Sequence, residues 1–133
     1  MVLLSSCCLD ANLILRFILD DVPTQRKKVL KLLKENQNFY VNDLIVSEVI
    51  YNLQKMKFSR TEILNSLSGI FDQPNIHYES PFLPEVLEYY ESHPALSFVD
   101  CYSAAWAEHT KNEPLLTFDK KLSKEHPSAK LLA

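Results

Sequence analysis

A single glycine, Gly69, occurs in 133 residues, and no other feature limits the chain so much. Without a second glycine there can be no G-x-G-x-x-G turn and no G-x-x-x-x-G-K-[ST] loop, so nucleotide binding in a glycine-rich cradle is excluded. Collagen-like, linker-like and disordered classes go with it, because 47% of the residues are hydrophobic and 23% charged. The length suits one domain, 1–133, with a core large enough to need no covalent staple. Cys7, Cys8 and Cys101 are odd in number and form no C-x-x-C, so they read as small core residues in a reducing compartment. The run Met1 to Leu9 is apolar but short, lacks a basic start and ends at Asp10. It reads as neither a signal peptide nor a membrane span, and the expected location is cytoplasmic.

Strand-like and helix-like segments alternate along the rest. Strands are predicted over 2–9, 38–42, 75–79, 114–118 and 129–133. Helices are predicted over 11–19, 23–36, 43–57, 59–72, 81–93 and 97–111, with a short one ending near His126. Pro23 suits a first helical turn because its missing N–H is not needed there. Ser59 and Glu62 form a capping box, and Pro94 stops the helix before it. In the 23–36 helix Val29, Leu32 and Leu33 face inward, and the lysines around them read as a solvated face. Strands separated by helices favour a parallel sheet with helices on both faces, here of four or five strands. Such sheets carry their sites at the carboxyl ends of the strands.

Four acids are candidates, and two of them stand where that rule points. Asp10 and Asp119 follow predicted strands; Glu48 and Asp100 lie near helix starts among apolar neighbours. Each has a plain structural reading. Asp10 and Asp119 would cap the helices after them, Asp100 would complete a box with Ser97, and Glu48 would reach solvent. Brought together, four carboxylates repel unless a cation joins them. Oxygen donors without cysteine or histidine call for a hard ion, Mg²⁺ or Mn²⁺. The net charge is −3, so no broad nucleic-acid footprint follows from charge alone. Outside the four acids, however, the chain has 13 acids against 14 bases and could tolerate a polyanion.

The segments LDANLILRFI, VSEVIYNL, SFVDCYSAAWAEH and LLTFDKKL, in that order, resemble the PIN-domain family, and within it the VapC-like ribonuclease toxins. The resemblance spans Leu9 to Leu122 and matches the family's acids at Asp10, Glu48, Asp100 and Asp119. It implies a three-layer α/β/α sandwich and a metal-dependent endoribonuclease leaving 5′-phosphate and 3′-hydroxyl ends. The four acids would hold one or two Mg²⁺ or Mn²⁺ ions, and Asn12 and Thr117 would orient carboxylates or water. RNA is the implied substrate, an antitoxin protein the implied partner, and a homodimer the implied assembly. The 85–92 and 43–57 helices are the candidate dimer contacts. Arg16 reads either as a phosphate contact or as an idle cation, and Lys120 and Lys121 as possible contacts to the RNA backbone. Tyr89, Tyr90, Tyr102 and Trp106 read mainly as core or dimer packing. The rival readings are a stand-alone PIN nuclease in RNA processing and a non-catalytic metal-binding or regulatory α/β domain. A phosphoacceptor receiver would want adjacent acids after the first strand, where Asp10 stands alone.

Overall fold

The computed structural model describes residues 6–132, so the part of the first predicted strand before Ser6, and Ala133, lie outside the described residues. The chain divides into two compact units, Met1–Ser80 and Pro81–Ala133. Seven helices and five strands alternate among the described residues, and every strand pairing is parallel. No described helix is long and apolar enough to cross a membrane.

The first unit holds β1 (Ser6–Cys8), α1 (Ala11–Ile18), α2 (Pro23–Leu33), β2 (Asn38–Val41), α3 (Asp43–Lys55), α4 (Arg60–Phe71) and β3 (Ile76–Tyr78). Its strands run in the order β1-β2-β3, with Cys7 opposite Phe39 and Tyr40 opposite His77. Alternation on β2 sends Phe39 and Val41 into the core while Tyr40 stays exposed. α1 packs against both α2 and α3. Val46, Val49, Ile50 and Leu53 of α3 are buried at helical spacing, and Ile45 is half-buried. The Ser59–Glu62 capping box forms with both its bonds, and the Ser59 backbone N–H donated to it lowers the pKa of the Glu62 carboxyl.

The second unit holds α5 (Leu83–Ser92), α6 (Phe98–His109), β4 (Leu115–Thr117), α7 (Lys120–Glu125) and β5 (Ala129–Leu131). β4 and β5 pair with Leu115 opposite Ala129. α5 packs on α6, α6 packs on β4, and α7 packs on both strands. Ala104, Ala105 and Ala107 are buried, and small side chains there let neighbouring backbone come close. The reading of all three cysteines as core residues holds for Cys101 alone; Cys7 is half-buried and Cys8 exposed. The cause is alternation on a short strand with one covered face.

Candidate active site

Asp10 leaves β1 where the ladder ends. Leu9 N–H still donates to Tyr40 O at 2.9 Å, and the next residue turns the chain into α1. The Asp10 side chain accepts from Ala11 N–H at 2.8 Å, so the capping role is realised. Asn12 follows, exposed on the first turn. Glu48 is exposed on α3, on the side away from buried Val49 and Ile50, and α1 packs against this helix. Arg16, one helical turn beyond Asn12, is not idle: its Nη1 lies 2.5 Å from Asp21 Oδ1, and this bond holds the Asp21 carboxyl below its usual range.

The other two acids belong to the second unit. Ser97 Oγ accepts from Asp100 N–H at 3.0 Å, and Asp100 Oδ2 accepts from Ser97 N–H at 3.4 Å, which completes a capping box at α6. Asp119 caps α7, with Oδ1 accepting from Lys121 N–H at 2.9 Å and Leu122 N–H at 3.1 Å. Thr117 Oγ1 accepts from Asp119 N–H at 2.9 Å, so Thr117 sets the backbone direction of the acid two residues on. Between them Phe118 is 78% exposed, a ring that the LLTFD segment hides in an otherwise strand-like run.

Two of the four acids are therefore helix N-caps, and Asp100 is the inner member of a capping box. A cap occupies only part of a carboxylate, which offers two oxygens and about four lone-pair positions. Asp10, Glu48 and Asp119 are exposed and Asp100 is half-exposed. Their donors are all hard oxygen, the chemistry that suits Mg²⁺ or Mn²⁺.

A family profile described as PIN domain matches residues 7–125. The chain belongs to the PIN domain family. The match takes in all four acids, Asn12 and Thr117, and the parallel α/β arrangement is that of the PIN-like α/β/α fold. PIN domains are nuclease-type proteins and typically use divalent metal. No curated protein matches this PIN domain.

One group of metal-ligating side chains in this PIN domain has no counterpart in the sequence pattern. Glu85 of α5 and Glu108 and His109 of α6 bring donor atoms within 4.8 Å of one another. His109 Nε2 lies 2.8 Å from Glu85 Oε2, and its ring stacks on Phe82. All three residues are exposed. No ligand spacing announces the group, because packing of α5 on α6 alone assembles it.

Proposed function

We propose that this PIN domain is a metal-dependent endoribonuclease, the toxin of a VapBC-type toxin–antitoxin pair, with Asp10, Glu48, Asp100 and Asp119 holding Mg²⁺ or Mn²⁺. The observation that carries the reading is the family match over residues 7–125, a span that contains Asp10, Glu48, Asp100 and Asp119. The match runs across both compact units, which supports a single domain. A bound ion of this kind lowers the pKa of water and offsets charge on a phosphodiester. The chain supplies the rest. Asp10 and Asp119 are held at strand ends by their own capping bonds, and Thr117 orients Asp119. Asn12 sits one turn from Arg16 on the helix that Asp10 opens. The protein acts in the cytoplasm on RNA. Leu44 and Tyr51, 81% and 60% exposed on α3, support a homodimer through that helix. The tyrosines of α5 do not, because Tyr90 is fully buried and Tyr89 donates its hydroxyl to Glu125 O.

Asp100→Asn tests the mechanism. Asn keeps an oxygen for the Ser97 N–H but removes one ligand charge, so cleavage of a mixed RNA pool in Mn²⁺ should fall by orders of magnitude while the fold survives. Wild-type cleavage by the variant would defeat the metal-site reading. A small protein encoded next to this gene that binds the chain and stops cleavage would separate the toxin from a stand-alone PIN nuclease.

A further inference from the structure

The segment from Pro23 to Lys34 carries Arg26, Lys27, Lys28, Lys31 and Lys34 and no acid. Taking these five from 14 bases leaves nine against 17 acids in the rest of the chain. The mild net charge therefore hides one strongly basic helix in an acidic protein. A merely solvated helix intersperses both signs, since like charges three or four positions apart each cost about 0.2–0.5 kcal/mol. Lys27 and Lys31, Lys28 and Lys31, and Lys31 and Lys34 all stand at such spacings.

Lys28 and Lys31 are exposed, and they face a concave surface. A groove of about 640 Å³ runs between α1 and α2. Asn12 and Arg16 line it from α1; Gln25, Lys28 and Lys31 line it from α2, with Glu35 the one acid among its lining residues. Leu13 and Leu32, both half-buried, form part of its floor. No aromatic lines it, and its charged lining groups are cationic apart from Glu35. The groove begins at Asn12, two residues beyond Asp10.

We propose that the α1–α2 groove seats the backbone of single-stranded RNA, with Lys28, Lys31 and Arg16 meeting phosphates as the strand approaches Asp10. The identity of the polyanion rests on the nuclease reading; the basic groove itself does not. In the free protein Asp21 occupies Arg16, and a phosphate would compete with that carboxylate for the guanidinium. Asp21 thus acts as a stand-in anion that weakens RNA binding.

The test is fluorescence anisotropy with a labelled oligo-uridylate of about twelve nucleotides, in chelator so that no cleavage occurs. Each phosphate contact to a single strand contributes about 0.7 to the slope of log affinity against log salt. Lys28→Gln with Lys31→Gln should weaken binding and reduce the slope by about 1.4. Wild type then loses about sevenfold more affinity than the variant between about 50 and 200 mM salt. Asp21→Asn should tighten binding with the slope unchanged, because Arg16 meets a phosphate in both complexes and only its competitor is removed. Lys111→Gln with Lys130→Gln, both exposed and off the groove, controls for net charge and should leave the slope unchanged. Equal slopes for wild type and the Lys28/Lys31 variant would overturn the proposal. So would displacement of the RNA by oligo-glutamate of matched charge, which would assign the groove to an acidic protein partner. Binding through the groove by a protein that never cleaves RNA in Mn²⁺ would sink the nuclease reading and leave the groove standing. Cleavage with unaltered binding in the groove variants would do the opposite.

Discussion

Asp119 serves two purposes that a pair of substitutions can pull apart. Its Oδ1 receives two backbone N–H groups of α7, from Lys121 and Leu122, and Leu122 is buried. Asp119→Ala removes that acceptor. Because Asp119 is exposed, water can replace part of the bond, so the loss should be near the usual cap value of about 1 kcal/mol. In a domain of this size that is a fall in Tm of about 3–5 °C. Asparagine caps as well as aspartate, so Asp119→Asn should hold stability within a few tenths of a kcal/mol. Cleavage should not follow that order. If Asp119 is a ligand, both variants lose its charge, and an ion worth several kcal/mol to the reaction becomes a loss of about a hundredfold or more. Thermal unfolding in chelator, paired with Mn²⁺-dependent RNA cleavage, reads the two effects separately. Asn at wild-type cleavage, or activity that tracks Tm across the two variants, would refute the reasoning and leave Asp119 a cap alone.

His126 predicts an acid limb of stability. It is buried, its Nδ1 accepts from Ser128 N–H at 3.1 Å, and burial lowers its pKa below 6.5 against a smaller opposing pull from Glu108 and Glu85. The unfolded chain then takes up the proton first as pH falls, so this contribution is complete above about pH 6.5 and lost below it, through the depressed folded value. Melting temperature against pH should show that limb, and an NMR titration placing the ring at or above 6.5 would remove it. Leu44→Glu with Tyr51→Glu should convert a homodimer to a 15.4 kDa species in sedimentation with little change in Tm, since both side chains are largely exposed. Wild type sedimenting at that mass at micromolar concentration would exclude the dimer.

Much of this protein is legible in the order of its residues. Among the described residues, hydrophobic period, capping boxes and prolines mark the helices and strands to within a few residues, because those signals act over a single turn or strand. Asp10 and Asp119 are visible for the same reason: they stand where a strand hands over to a helix, and local hydrogen bonds hold them there. Only the tertiary structure decides what lies across a gap in sequence. Lys28 and Lys31 read as a solvated face until α1 closes the other side of their groove. Arg16 reads as a phosphate contact or an idle cation until the chain between α1 and α2 brings back Asp21. Glu85 meets Glu108 and His109 only because α5 packs on α6. Local chemistry sets the elements and their caps; grooves, ion pairs and shared donor sets arise from side chains on different elements, whose meeting no short spacing encodes.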